Sequence, residues 1–342
     1  MLPEQDQDLD ELALLEAEDF ARAENSLAHF TRSAWDILEP ETQYLHNWHI
    51  DLISEYLTAV EQGDIRRLII NIPPRYMKSL QVTVCFPAWV WTRKPAKRFI
   101  AASYAASLSI AHSVARRTLI ESDWYQRGWG DKFELASDQN QKTEFQNTHR
   151  GHMIAASVGG AITGRGGDIL IVDDPLNPLE AASDIEREAA NTWFDLTFTS
   201  RLDNKKTGAI IVVMQRLHEK DLTGHLLAKG GWEHLKLPVE ATSKTTIVFP
   251  ISKREIVREE GQVLWPERDG PKELEQTKKD LGPIGYPAQM QQDPKPAGGG
   301  FFHRSWWKRY QELPMRRIRR VQFWDCAEVP GVTNDLDRKS VV

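Results

Sequence analysis

With 342 residues, 41% of them apolar and 27% charged, the chain is long enough for one large core plus a smaller unit, and its composition excludes a disordered or fibrous protein. The net charge of −6 is uneven: residues 1–25 carry nine acids and one base, so the remainder sums to +2, and residues 301–324 hold seven Lys or Arg against one Glu around "RRIRR". Cys85 and Cys326 fit no disulfide or metal-ligand spacing, the N-terminus is acidic where a secretory signal is basic, and the longest apolar stretch, "VTVCFPAWVW", is short and holds Pro87; neither export nor membrane insertion is expected.

From Asp64 to Val239 short apolar runs alternate with helical patterns and no internal repeat is visible, which predicts an α/β fold: a mainly parallel sheet flanked by helices. The predicted strands are Arg67 to Ile72, Lys97 to Ser103, His152 to Ser157, Asp168 to Asp173, Gly208 to Met214 and His234 to Val239. Between them, Leu108, Ala111, Ala115 and Leu119 recur at helical spacing. Ile185, Ala189, Trp193 and Leu196 do the same after a capping box of Ser183 and Glu186, and both faces are expected to be core. Beyond Val239 one helical stretch stands among Pro and Gly clusters, so a small subdomain is expected, closing in a linker near Gly298 to Gly300. "RRVQFWDCA" then predicts a new strand ending in an acid.

The first strand runs into "IPPRYMKS", Ile72 to Ser79. A phosphate-binding loop needs inward backbone N–H groups, a helix N-terminus behind them, a Lys for the phosphate oxygens and a hydroxyl for Mg²⁺. This stretch has no glycine, but Arg75, Tyr76, Met77, Lys78 and Ser79 all keep their N–H, and Pro73 and Pro74 restrict the approach. Met77 occupies the place of the second glycine of the usual pattern, so either its φ is negative or its strain is held by neighbours. About ninety residues on, "DILIVDDP" ends a strand in Asp173 and Asp174, where one acid can serve the Mg²⁺ shell and the next can orient or deprotonate the attacking water; the expected roles are Asp173 for metal and Asp174 for water. "GGAITGRGGD" has five glycines around Arg165, which suits an arginine finger moved onto a phosphate of its own or a neighbouring subunit. Gln215 and Arg216, at the end of the next strand, suit either a γ-phosphate sensor or a plain cap and salt bridge.

Taken in order, "NWHIDLISEYLTAVEQGDIRRLIINIPPRYMKS", "FPAW", "TGRGGDILIVDDP", "TFTSRL", "MQRLHEKDLTG", "LWPER", "QMQQDPKP" and "FWDCA" resemble the large terminase subunit of tailed phages and prophages, over roughly Trp48 to Asp335. The resemblance implies an acidic extension (1–35), a P-loop ATPase domain of the ASCE type (36–250), a small subdomain with linker (251–300), and the start of an RNase-H-like nuclease (301–342), cut short at Val342. It implies ATP and Mg²⁺ as cofactors, catalysis by Asp174, Arg165, Arg75 and Lys78, and nucleotide binding by Arg75 through Ser79, with Trp48 and His49 at the adenine pocket. Ser79 and Asp173 would serve the ATPase metal, Asp325 the nuclease metal, and Gln215 with Arg216 the coupling motif. The partners implied are double-stranded DNA, a portal or procapsid, the small terminase subunit and a homo-oligomeric ring, with no membrane, in the cytoplasm of a bacterial host. A helicase-like translocase and an inert remnant that only binds DNA or procapsid are the alternatives. Relatives commonly carry Gly where Met77 stands and Glu where Asp174 stands, and the single acid Asp325 cannot by itself build a two-metal nuclease site.

Overall fold

The computed structural model of the chain describes residues 3–160, 162, 164–295, 322–325 and 338–341. Two compact units are present, Met1–Lys295 and Pro296–Val342. In the second unit the described residues form one antiparallel pair, Gln322–Asp325 with Arg338–Val341; the basic stretch at 304–320 lies outside the described residues.

In chain order the first unit holds α1 (Pro3–Asn25), α2 (Leu27–Leu38), α3 (Trp48–Gln62), β1 (Arg67–Asn71), α4 (Phe86–Trp91), β2 (Phe99–Ser103), α5 (Ala106–Glu121) and α6 (Asp123–Trp129). There follow β3 (Leu135–Asn140), β4 (Glu144–Asn147), β5 (His152–Ser157), β6 (Ile169–Asp173), α7 (Asp184–Trp193), β7 (Ala209–Met214), α8 (Leu222–Lys229), β8 (Glu233–Lys236), the hairpin β9 (Thr245–Val248) and β10 (Glu255–Arg258), and α9 (Pro271–Gly285). Eight strands make one sheet in the order β3-β4-β5-β2-β6-β7-β1-β8, parallel from β5 to β8 and antiparallel at the β3–β4–β5 edge. This is the α/β, mainly parallel, helix-flanked sheet expected.

The central strands read as unbroken apolar runs because both faces are covered. Alternate residues go to opposite layers: Leu68, Ile70, Ile171, Ile211 and Val213 pack with Phe30, Ile53, Val82 and Trp89 on one side. Ile69, Leu170, Val172, Ile210 and Val212 pack with Trp193, Phe194, Phe198 and Leu226 on the other. The acidic first segment reaches this core, since Ala23, Leu27, Phe30 and Ala34 are fully buried and the Trp89 indole donates to Ala23 O. Helix α3 stops at Gly63, whose φ of +92° closes the last turn with its N–H on Ala59 O and Val60 O.

Two helix faces differ from expectation. On α7 the inward residues are Arg187, Ala190 and Trp193, followed by Phe194 and Phe198, while Ile185, Ala189 and Leu196 are exposed. Arg187 holds the inward place by donating to Ala181 O and Asp184, and the π turn at Phe194–Phe198 shifts the inward positions away from a 3.6-residue repeat. On α5 Leu119 is buried as expected but Ala111 is exposed, and the inward face is polar, with Ser109, Ser113 and Arg116 buried and His112 largely so. The last predicted strand is shorter than expected and begins one residue earlier, at Glu233.

Candidate nucleotide-binding site

The carboxyl edges of β6, β7 and β1 converge, and the turn after β1 is the centre of the site. Ile72 through Met77 leave the sheet and a helix starts at Lys78, passing through a π turn at Leu80–Cys85 into α4; Pro87, which has no N–H for an i−4 bond, marks the junction. Arg75 and Met77 both adopt left-handed backbone, φ +67° and +63°. Met77 therefore takes a glycine conformation without being glycine, the second of the two alternatives the sequence left open. None of the five N–H groups from Arg75 to Ser79 has a hydrogen-bond partner among the described residues, and left-handed residues followed by a helical start are the backbone of an anion nest.

The two halves of the site meet across the end of β7. Lys78 Nζ lies 2.5 Å from Asp174 Oδ2, and Ser79 Oγ donates to Asp173 Oδ1 at 2.9 Å. Asp174 is itself left-handed, φ +45°, and is held at its N–H by Val213 O, at its carbonyl by the Tyr104 N–H and at Oδ1 by the Gln215 N–H, 3.1 Å. Asp173 is fully buried, and Thr83 Oγ1 donates to its Oδ2 at 2.8 Å. The His112 ring stands 3.5 Å from that same oxygen without the alignment of a hydrogen bond. Burial pushes the Asp173 carboxyl above the usual range, opposed by the His112 charge, and burial pushes the His112 imidazole down, opposed by Asp173. Sequence reasoning singles out neither Thr83 nor His112. Thr83 is within its reach, because four residues after Ser79 places it on the same helical face; His112 belongs to another helix and carries no local signal.

The other expected residues are dispersed. Arg75 is exposed. Arg165 is half exposed and pairs with Glu144 at 3.0 Å; Glu144 lies on β4, three strands from β6, roughly 14 Å at the spacing of neighbouring strands. It is not brought to the Lys78–Asp174 pair of its own chain. His49 is fully buried, packed on Tyr76 and Trp265, and burial pushes its imidazole down to about 3; Trp48 packs at the edge of the core. His49 presents no open face for a base and stands here as core, whereas Trp48 is half-buried. The Arg216 guanidinium is taken up by Asp221, Nε to Oδ1 at 3.0 Å and to Oδ2 at 2.9 Å, and Asp221 also caps α8 through the Gly224 N–H. Of the two readings of Arg216, salt bridge and cap is the one its contacts fit. The expected nuclease acid, Asp325, lies in the second unit, where only its strand is described.

No group of three or more His, Cys, Asp or Glu able to hold a metal exists among the described residues, and no described helix is long and apolar enough to cross a membrane. A cation here would rest on Ser79 and Asp173 with ligand oxygens and water completing its shell.

No family model and no curated protein matches the chain. Among solved structures it is similar to the HK97 bacteriophage large terminase at 12% identity and TM-score 0.46, over 76% of this chain and 54% of that one. It is similar to the ATPase domain of the Thermus phage P74-26 large terminase, in a mutant form, at 11% and 0.42, over 75% and 95%. A third is the large terminase of the thermophilic bacteriophage D6E in complex with ADP, at 10% and 0.35, over 53% and 44%. The chain thus spans about half the length of the HK97 and D6E proteins it matches. Identities this low bear on fold alone, and with these three TM-scores below 0.5 the functional reading rests on the site geometry.

Proposed function

We propose that this chain is an ATP-hydrolysing motor subunit of the large-terminase kind, driving double-stranded DNA into a procapsid. The observation that carries the reading is the double contact between two loops about ninety residues apart, Lys78 with Asp174 and Ser79 with Asp173, beside five N–H groups that are unpaired among the described residues. A left-handed methionine beside a row of donors at the same sheet edge as two acids suits a loop that binds phosphate. The ordered run of motifs from Trp48 onward supports the packaging role.

In this mechanism the N–H nest and Lys78 bind the β- and γ-phosphate oxygens. Two hard oxygen donors, Ser79 Oγ and Asp173, suit Mg²⁺, which when bound neutralises charge on those oxygens. Lys78 must exchange Asp174 for phosphate, and the released Asp174 carboxylate then orients a water, held on its other oxygen by the Gln215 N–H. Water oxygen bonds to the γ-phosphorus, the bond to the ADP oxygen breaks, and the water proton passes to Asp174. Arg165, remote from its own site, acts on a neighbouring subunit of a ring. The small terminase subunit and the portal would be the other partners, in the cytoplasm of a bacterial host, and residues 301–342 would open a nuclease unit in which Asp325 is the first metal acid.

The test is an ATP titration of the chain with and without Mg²⁺, followed by turnover in the presence of double-stranded DNA and procapsids. Mg²⁺-dependent binding and DNA-stimulated hydrolysis are expected. Absence of nucleotide binding in the unaltered protein would overturn the reading, and strand separation without packaging would move it to a helicase.

A further inference from the structure

A loop that holds two non-glycine residues at positive φ needs something to keep it there. Each such residue is strained, and strain of this kind persists only where the surroundings over-determine it. The loop's own bonds supply this only after Met77, where Met77 O accepts the Gln81 N–H at 2.9 Å and Lys78 and Ser79 are held by Asp174 and Asp173; the N–H groups from Arg75 to Ser79 are unpaired among the described residues. What is fixed is the residue between the two strained positions. Tyr76 is fully buried, its ring 5.8 Å from the Trp265 indole at 71° and 6.0 Å from the His49 ring, and His49 and Trp265 are themselves 4.9 Å apart.

The far side of this aromatic group is rigid. Trp265 is almost fully buried, its carbonyl accepts the N–H groups of Arg268 and Asp269, and the preceding Leu264 is tied at both ends, its N–H to Val239 O at 2.7 Å and its carbonyl to the Asn47 side chain at 2.8 Å. Asn47 also contacts His49 Nδ1 at 2.6 Å, so the start of α3 and the segment around Trp265 form one support. His49 Nε2, Tyr76 OH and Trp265 Nε1 make no well-aligned hydrogen bond among the described residues; Asp269 stands beside the Tyr76 hydroxyl and the Arg268 guanidinium lies 6.0 Å from the Tyr76 ring, so packing on His49 and Trp265 is the main hold on Tyr76.

We propose that Trp265 is a positioning residue for the phosphate loop: its indole, backed by His49, pins Tyr76, and pinned Tyr76 keeps Arg75 and Met77 left-handed so that the loop's donors face one point. This rests on the nucleotide reading of the loop. Without the indole, Tyr76 gains room, the flanking residues relax toward negative φ, and the donors diverge.

The experiment measures ATP affinity by calorimetry with Mg²⁺, and KM and kcat separately, for the unaltered chain, Trp265→Ala, Trp265→Phe, Met77→Gly and the Trp265→Ala/Met77→Gly pair. Trp265→Ala is expected to weaken ATP binding roughly tenfold, the factor that about 1.4 kcal/mol of released strain produces, with KM moving more than kcat. Trp265→Phe, which keeps a ring, should stay near the unaltered value. Met77→Gly removes the driving force for relaxation, because glycine accepts positive φ freely, so the double variant should recover most of the lost affinity. A Trp265 that merely stabilises the fold would lower Tm without being rescued at position 77. An unchanged affinity in Trp265→Ala, or a double variant no better than it, overturns the proposal. Should Trp265→Ala not fold, Trp265→Leu fills the volume without a ring and is read by the same outcomes. If the unaltered chain binds no ATP, the nucleotide reading fails first and the clamp with it; failure among the variants alone sinks only the clamp.

Discussion

Two loops leave the sheet with opposite compositions and opposite outcomes. Residues 72–79 contain no glycine, yet they form the centre of the candidate site, with Lys78 buried and two residues in left-handed backbone. Residues 159–168 contain five glycines, and Gly159 and Gly164 use positive φ, yet among the described residues their arginine pairs with Glu144, strands away from the acids. Glycine lowers the cost of an unusual backbone conformation; it does not aim the donors. In the first loop packing on Tyr76 does the aiming, and in the second the same permissiveness leaves Arg165 at the surface.

Removing the charge at the centre of the glycine-free loop is the largest break: Lys78→Ala should reduce ATP hydrolysis to the assay background, and near-normal turnover would show that this loop is not the site. Next comes the glycine-rich loop. An arginine acting across an interface is worth on the order of 10³–10⁵ in rate, so Arg165→Ala should lose most turnover, and mixing it with Asp174→Asn subunits should restore part. No recovery in the mixture would argue against action across an interface. Asp174→Asn alone should slow hydrolysis by roughly 10²–10⁴ while ATP is held at least as tightly, because Lys78 loses its competing carboxylate. Weaker ATP binding in that variant would contradict the exchange of partners at Lys78.

The support beneath the first loop sets a pH dependence. His49 is pushed down to about 3 by burial, so the unfolded chain takes up its proton near 6.5 and the folded chain does not. Its contribution is fully present above about pH 6.5 and is lost as pH falls toward 3, at up to about 1.4 kcal/mol per pH unit. His234, pushed down to about 4, acts in the same direction. Melting measured from pH 7 to pH 4 should fall less steeply in His49→Gln, and identical slopes would show that His49 is not neutral in the fold. The smallest effect belongs to the second loop. Gly164→Ala meets no neighbouring atom but forces alanine to φ +76°, so it should cost about 1 kcal/mol and lower Tm by about 2 °C without changing ATP affinity.

Much of this is legible from local pattern. The central strands are apolar on both faces, and a strand ending in Asp173 and Asp174 after another ending in a Lys-Ser turn announces both halves of the site. The features that escape local pattern are set by packing at a distance. The hairpin of β3 and β4 at the sheet edge, "LASDQN" and "EFQN", is too polar to read as strand, because an edge needs only one covered face. The inward face of α7 defies the apolar repeat because an arginine with backbone and carboxylate partners occupies a position that hydrophobicity alone assigns to a leucine or isoleucine. His112 reaches Asp173 from another helix, and the left-handed state of Met77 depends on Trp265, 188 residues downstream, whose part in the loop no nearby residue signals.

The contact between Lys78 and Asp174 has a consequence for selectivity. A carboxylate fixed by the fold beside an ammonium behaves as a tethered competitor at high effective concentration, so a free anion must outbid it to reach the lysine. A singly bound acetate or chloride gains one contact and loses that contest, whereas a polyanion that also engages the row of amides gains several at once. Lys78 is thereby guarded by the protein's own acid against the small anions that surround it.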